Sequence, residues 1–407
     1  MVVVGAGEAG ARAATSLRER GFGGPITLIG DEPHAPYERP PLSKAVMTAA
    51  TDAAAPTFVL DEAKLAAQAI DHVASVNVIG IDRDDRRVLL DDGRSLPYGK
   101  LLLATGAGPR RLSTHGAVDG NVLYLRTFAD ALWVRARLRP RSRILIIGGG
   151  FIGLEIAASA VMRGCSVTLI DMAPRILIRG VPVEVAEKVA QAHRAAGVDL
   201  RTGVAIASIE ADAEHTAVIL ADGTVLVGDA VVAGIGAVPR TQLAAASGLA
   251  VENGIKVDDR LHTDDPDIFA AGDCCSFPHP LYGGQRIRLE AWRNARDQGA
   301  VAAANMLGAD DIYDAVPWFW SDQYEDTLQV AGLADHGTDL FERRLDGGSI
   351  FFHLDINGRL VAASGIGPNG AIAKEIRLAE MLIAKRATPD PVALADRKVS
   401  LKSLLRS

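Results

Sequence analysis

Val2-Val3-Val4-Gly5-Ala6-Gly7-Glu8-Ala9-Gly10 and Ile144-Leu145-Ile146-Ile147-Gly148-Gly149-Gly150-Phe151-Ile152-Gly153 carry the same pattern. Each is a short apolar run that enters a G-x-G-x-x-G turn. After the first turn, Ala11 to Arg20 is rich in helix formers and Gly21 to Pro25 breaks it. Ile26 to Ile29 then reads as a second strand, ending just before Asp31. After the second turn, Leu154 to Arg163 reads as helix, Gly164 ends it, and the strand Val167 to Ile170 runs into Asp171. A whole strand–turn–helix–strand unit is therefore repeated. The pattern predicts an α/β protein with two Rossmann-like dinucleotide-binding domains.

The glycines have distinct tasks. The first allows the tight turn, the second lets backbone approach a pyrophosphate, and the third packs helix against strand. The phosphates then lie on N–H groups at the helix N-terminus. Asp31 and Asp171 stand where a carboxylate accepts hydrogen bonds from ribose hydroxyls. A carboxylate there also repels a 2′-phosphate, so Asp171 favours NADH over NADPH at the second turn. Arg175 lies close in sequence and pulls the other way. Two such turns on one chain imply two dinucleotides, most economically a flavin and a nicotinamide joined by hydride transfer.

Other features repeat as well. Val88 to Leu90 and Arg94 to Leu96 flank Asp91-Asp92-Gly93, and Ala217 to Leu220 and Val225 to Val227 flank Asp222-Gly223. Both read as hairpins. Leu101 to Leu103 runs into Ala104-Thr105-Gly106, and Val231 to Ala233 into Gly234. Beyond about Pro317 the character changes. The β-like runs Ser349 to Leu354 and Leu360 to Ala363 surround Asn357-Gly358, and Ala371 to Lys385 reads as helix. This last part reads as an α+β domain with no nucleotide fingerprint.

The net charge of −7 argues against general nucleic-acid or membrane binding. No apolar run has the length of a membrane span. The chain opens on Val2 without a basic segment, so no signal peptide is expected. The three cysteines, Cys165, Cys274 and Cys275, do not make a disulfide framework, and a cytoplasmic location is the simplest reading. No C-x-x-C or C-x-x-x-x-C is present. Adjacent Cys274 and Cys275 are expected to pack rather than react, and Cys165 to be buried. The nine histidines show no metal-ligand spacing, so no metal is expected.

The sequence resembles the FAD-dependent ferredoxin reductases of bacterial oxygenase systems over its whole length. The carrying segments are Gly5 to Gly10, Arg39-Pro40-Pro41-Leu42-Ser43-Lys44, Ala104 to Gly106, Gly148 to Glu155, Thr263 to Asp273 and Pro317-Trp318-Phe319-Trp320-Ser321-Asp322-Gln323. The resemblance implies a glutathione-reductase-like fold. The FAD-binding domain would be split into residues 1–107 and 234–316, because Asp273 must reach the first turn. The NAD-binding domain would span 108–233 and the C-terminal domain 317–407.

It also implies roles. Gly5, Gly7, Glu8, Ala9 and Gly10 would cradle FAD. Asp31 and Glu32 would hold its adenosine end, with Val78 touching the adenine through its backbone. Arg39, Pro41, Ala104, Thr105, Gly106, Arg126 and Gly272 would add contacts. Asp273 would bind the ribityl chain. Glu290, Ala291 and Trp292 would lie along the flavin edge. Gly148, Gly149, Gly150, Phe151, Ile152, Gly153, Asp171, Arg175 and Gly236 would hold NADH. Lys44, Glu155 and Trp320 would be catalytic. Lys44 would lie against the flavin ring, where it stabilises the charge of the reduced form, with Glu155 at the nicotinamide and able to pair with it. Trp320 would stand near both rings.

The activity implied is an FAD-dependent ferredoxin–NAD(+) reductase. Hydride passes from NADH to FAD, and single electrons pass to a plant-type or Rieske-type [2Fe–2S] ferredoxin that serves a Rieske dioxygenase or a cytochrome P450. The chain would be a monomer or weak homodimer. Arg286, Arg288, Arg293, Arg296, Arg343, Arg344, Lys374 and Arg377 are candidates to dock the acidic ferredoxin. The alternatives are a reductase for rubredoxin or another carrier, and a redox-signalling protein that binds NADH and flavin. A disulfide reductase or cysteine-dependent oxidase would need a cysteine around Leu42-Ser43-Lys44, where none stands.

Overall fold

The computed structural model describes residues 1–50, 54–118, 120–212, 215–368 and 370–405. The chain forms two compact units. The first comprises Met1–Glu38, Pro56–Gly108 and Ala237–Ala315, and the second Arg39–Ala55, Pro109–Gly236 and Val316–Ser407.

The first unit is built on a five-stranded parallel sheet. Its strands lie in the order Ile268–Ala270, Leu101–Leu103, Val2–Val4, Ile26–Ile29 and Ile70–Val73. The strands Val2–Val4, Leu101–Leu103 and Ile268–Ala270 are apolar along their whole length because both faces are covered. The strand Ile268–Ala270 comes from far along the chain and pairs in register with Leu101–Leu103, delivering the Gly272-Asp273 turn to this unit. The helix Glu8–Glu19 buries Ala9, Ala11, Ala13 and Ala14. Such a small face lets the helix Trp292–Met306 come very close. A Cβ on Gly299 would stand 2.4 Å from the carbonyl of Ala9.

The second unit holds another five-stranded parallel sheet, in the order Asp199–Thr202, Ser166–Asp171, Arg143–Ile147, Ala230–Ala233 and Leu123–Tyr124. The helix Phe151–Met162 follows the central strand and buries Gly153 through Ala160 without a break. Both turn helices start three residues earlier than their composition suggests, at Glu8 and at Phe151. The glycine turns themselves form the first helical positions.

The two hairpins expected from Asp-Gly turns are present, but each belongs to a three-stranded sheet. The extra strands, Val78–Asp82 and Ile206–Ala211, each carry a bulge that breaks the alternation by which a strand is recognised. Residues 318–368 form a five-stranded antiparallel sheet, ordered Trp318–Gln323, Asp326–Gly332, Leu360–Pro368, Gly348–Leu354 and Asp339–Leu345. The strand Leu360–Pro368 runs beyond Ala363 through Gly365 and Gly367. A Cβ on Gly365 would meet Ile372 and Ile376 at 3.1 Å, so these glycines admit the end of the helix Ala373–Ala384.

Arg343 is not a surface residue. Its side chain is 2% exposed. It donates to the carbonyls of Leu394 and Ala393 at 2.6 and 2.9 Å and pairs with Glu375 at 2.9 Å. It therefore ties the segment Pro391–Ala395 to the sheet and cannot dock a partner. Arg343→Met should destabilise the protein by about 3 kcal/mol, the usual cost of breaking a buried pair on one side. The check is urea denaturation followed by circular dichroism. A loss under about 0.5 kcal/mol, the size of an ordinary surface change, would contradict this role.

Candidate active site

The two glycine turns are built alike to the level of single bonds. The N–H of Gly5 donates to Ile29 O at 2.8 Å, and that of Gly148 to Ile170 O at 2.8 Å. Gly5 and Gly148 take φ values of +112° and +106°, where side chains are rarely found. A Cβ on Gly5 would lie 2.1 Å from Ala104 O, and one on Gly148 2.5 Å from Gly234 O. Third in each turn, Gly10 and Gly153 would place a Cβ 1.9 and 2.0 Å from the carbonyls of Gly5 and Gly148. The first and third glycines are thus required by the protein itself.

The second glycines are not. Nothing lies within 4 Å of a Cβ built on Gly7, and one on Gly150 meets only Gly234 O, at an ordinary 3.7 Å. Both have φ near −80° in extended backbone, which any residue adopts. Each is the N-cap of its helix, and neither helix end has a side-chain cap. An open face beside uncapped N–H groups fits a pyrophosphate.

Of the other expected FAD contacts in the first unit, Ala104, Thr105 and Gly272 lie against that turn. Gly272 takes φ +83°, and its N–H donates to Gln298 Oε1 at 2.8 Å. Arg288 donates to Asp273 O at 3.2 Å and to Glu290 at 2.6 Å. Gln298 Nε2, Arg288 Nε and Glu8 Oε2 are buried without a hydrogen-bond partner. Polar atoms left so beside an open cradle fit a polar ligand such as FAD. Burial and the neighbouring Glu38 push the Glu8 carboxyl up to about 7. Ala291 caps the helix that begins at Trp292, and Arg296 lies 5.3 Å over the Trp292 ring. Asp31 pairs with Arg240 at 2.8 Å, while Glu32 accepts the Tyr37 hydroxyl at 2.5 Å. Thr105 donates to Arg240 O, and Gly106 accepts from the Arg240 N–H. Val78 stands in the bulged strand of the small sheet.

In the second unit Asp171 ends its strand beside the turn. Its Oδ2 accepts from Gly149 N at 2.6 Å and its Oδ1 from Ala173 N at 2.7 Å. Arg175 turns away from any phosphate role. Its guanidinium donates to the carbonyls of Ile176, Leu177, Ile178 and Val181 and holds that loop. Gly236, at φ +110°, lies beside Arg110 and Arg179.

The segment 39–55 clusters with this unit. Arg39 donates to Arg126 O at 2.7 Å, and Ser159 Oγ donates to Ser43 O at 2.8 Å. Pro40 and Pro41 open the 3-10 turn Pro40–Ser43, which delivers Ser43 and Lys44 to the helix Phe151–Met162. Glu155 lies in the second turn of that helix and is 4% exposed, not an open first-turn acid. It pairs with Lys44 Nζ at 2.8 Å and accepts the hydroxyls of Ser321, at 2.6 Å, and of Ser43. Phe319 meets Phe151 edge-on at 4.9 Å, and Trp318 and Trp320 stack at 5.3 Å.

Ser43, Ser159, Ser321, Gln298 and Arg240 escaped the sequence reading. Alternation in the strand Trp318–Gln323 carries a signal for Ser321, which must face opposite to Trp320. All three cysteines are free and buried, and burial pushes each thiol up, so none is poised for redox chemistry. Arg286 is bound to the carbonyls of Val257 and Ser276, and Arg288 is only 12% exposed. These two are structural arginines rather than docking residues. Arg344 and Lys374 are exposed.

Residues 1–299 match the pyridine nucleotide-disulphide oxidoreductase family, and residues 318–405 match the reductase C-terminal family. The chain belongs to the pyridine nucleotide-disulphide oxidoreductase family. It is 43% identical to the ferredoxin–NAD(+) reductase component of the anthranilate 1,2-dioxygenase system of Burkholderia cepacia, over 99% of this chain and 98% of that one. It is 38% identical to putidaredoxin reductase of Pseudomonas putida, over 100% and 96% of the two chains. The crystal structure of the covalent putidaredoxin reductase–putidaredoxin complex superposes with a TM-score of 0.93 at 38% identity, covering 100% of this chain and 97% of that one.

The contrast between glycines can be tested within one turn. Gly153→Ala should lower the melting temperature by several degrees, because overpacking costs about 1–3 kcal/mol. Gly150→Ala should melt like the parent yet bind NADH roughly tenfold or more weakly, since the added methyl obstructs the close approach of a pyrophosphate. Thermal denaturation and calorimetric titration read the two effects. Unchanged NADH affinity in Gly150→Ala would remove the turn from the binding site.

Proposed function

We propose that this chain is an NADH-dependent ferredoxin reductase that supplies an oxygenase, either a Rieske dioxygenase or a cytochrome P450. The observation that carries the reading is the pair of second glycines, Gly7 and Gly150, which the protein does not need and a dinucleotide does. Full-length similarity to ferredoxin–NAD(+) reductase components supports the choice of partner. FAD would take the turn Gly5 to Gly10 and NADH the turn Gly148 to Gly153. When bound, the nicotinamide supplies a hydride, and the flavin accepts it and releases electrons one at a time.

The residues of the chain bind and orient. Asp171 offers its carboxylate to the ribose hydroxyls and repels a 2′-phosphate, and Arg175, spent on its own loop, does not offset that repulsion. Glu155, buried on the helix that follows the NADH turn, pairs with the partly exposed Lys44 at 2.8 Å, and Trp320 adds an aromatic face. We assign these three the reacting end of the site, with Lys44 as the cation that answers the charge of the reduced flavin. We place the protein in the cytoplasm, where its three free cysteines would stay reduced; no helix among the described residues is long and apolar enough to cross a membrane. The family takes its name from disulphide chemistry, but the three free, buried thiols speak against that reaction here.

The test is NADH-driven cytochrome c reduction with and without a [2Fe–2S] ferredoxin. The reading requires that ferredoxin accelerate the reaction. It also requires NADH to outperform NADPH by roughly tenfold or more, since facing like charges costs several kcal/mol. Indifference to ferredoxin would move the assignment to rubredoxin or another carrier. Slow reoxidation with every carrier would favour a signalling role.

A further inference from the structure

Pro317 to Gln323 is one of the segments that carry the resemblance, yet of its side chains only Trp320 has been given a role. In the strand Trp318–Gln323 successive side chains alternate. Phe319, Ser321 and Gln323 therefore share the face opposite to Trp318, Trp320 and Asp322. Ser321 is 1% exposed and Gln323 8%.

This face starts a continuous line of hydrogen bonds. Ser321 Oγ lies 2.6 Å from Glu155 Oε1, and Gln323 Nε2 lies 3.1 Å from Ser321 Oγ. Gln323 Oε1 lies 2.8 Å from His193 Nε2, and His193 Nδ1 lies 3.0 Å from the Tyr324 hydroxyl. His193 is fully buried.

Elementary chemistry sets the direction of every bond. A carboxylate can only accept, so Ser321 must donate its single hydrogen to Glu155. Ser321 can then only accept from Gln323, which must present its amide NH₂. That turns the amide oxygen toward His193, which must carry its proton on Nε2. Nδ1 is left as an acceptor for the Tyr324 hydroxyl. Burial lowers the pKa of His193 and raises that of Tyr324 to about 12, so the imidazole stays neutral and the phenol keeps its proton. All four donors point toward Glu155, and aligned bonds polarise one another.

A second observation is independent of these distances. Tyr324 occupies the tight turn between the strands Trp318–Gln323 and Asp326–Gly332 at φ +55°. Turns of this kind favour Gly, Asn or Asp. A bulky residue held in the left-handed region carries backbone strain, which motivates a role for its side chain. The Tyr324 ring also meets His193 edge-on at 5.0 Å.

We propose that Ser321, Gln323, His193 and Tyr324 are positioning residues that fix the carboxylate of Glu155, and through it the ammonium of Lys44, for the hydride step. The proposal rests on the assignment of Glu155 and Lys44 to the reacting end of the site. It also explains the serine and glutamine of the motif, which serve the carboxylate while the tryptophans face the other way.

The experiment has two arms on the FAD-loaded protein. In the first, ¹⁵N NMR reads the tautomer of His193. The expected state is neutral with the proton on Nε2, and an Nδ1–H tautomer would overturn the proposal. In the second, stopped-flow bleaching by NADH gives a limiting rate and an NADH dissociation constant. Ser321→Ala and His193→Phe should slow bleaching about three- to tenfold, the worth of one hydrogen bond, with NADH affinity changed by less than about twofold. Ser321→Thr and His193→Gln, which keep the donor, should recover most of the rate. If Glu155→Gln is slow while Ser321→Ala and His193→Phe run at the parent rate, the relay is wrong and the site assignment stands. If Glu155→Gln itself runs at the parent rate, the assignment fails first.

Discussion

Where backbone passes within contact of backbone, no side chain fits, and four such contacts set this molecule's form. Gly10 on Gly5 and Gly153 on Gly148 press helix against strand, while Gly5 on Ala104 and Gly148 on Gly234 press each turn against the neighbouring strand. Given those contacts, each turn must be sharp and its helix must start at once. The helix N-terminus is then left open and uncapped. The binding surface is the residue of a packing problem solved twice.

The second constraint is electrostatic. Glu155 is almost wholly buried, and a buried carboxylate is sustained only by partners. Three donors meet it, from the adjacent Ser43 and Lys44 and from Ser321, far along the chain. A proline-bordered turn, the helix Phe151–Met162 and the edge strand of the C-terminal sheet are thus joined at one carboxylate. Segments 39–55 and 316–407 cluster with the five-stranded parallel sheet of the second unit, and Glu155 is one point at which they meet it.

What sequence could reveal followed the range of the physics. The glycine turns, the strands before them and the acids after them are local, and both strand–turn–helix–strand repeats formed as the spacing implied. The small sheets were half legible. Asp-Gly turns disclosed one hairpin in each, but the bulges in Val78–Asp82 and Ile206–Ala211 hid the third strand. Pairwise relations were largely invisible. Nothing near Arg175 tells that it holds its own loop, nothing near Arg343 tells that it is buried, and His193 lies 130 residues from Gln323. Such facts come from tertiary contact, and composition carries no trace of them.

The account stands or falls on two separate dinucleotide sites in one chain. The direct measurement is binding stoichiometry: flavin absorbance per chain, followed by calorimetric titration of the yellow protein with NAD(+). The account predicts a single FAD per chain and a single NAD(+) bound beside it without displacing the flavin. A colourless protein that cannot take up FAD, or NAD(+) and FAD competing for the same place, would contradict it.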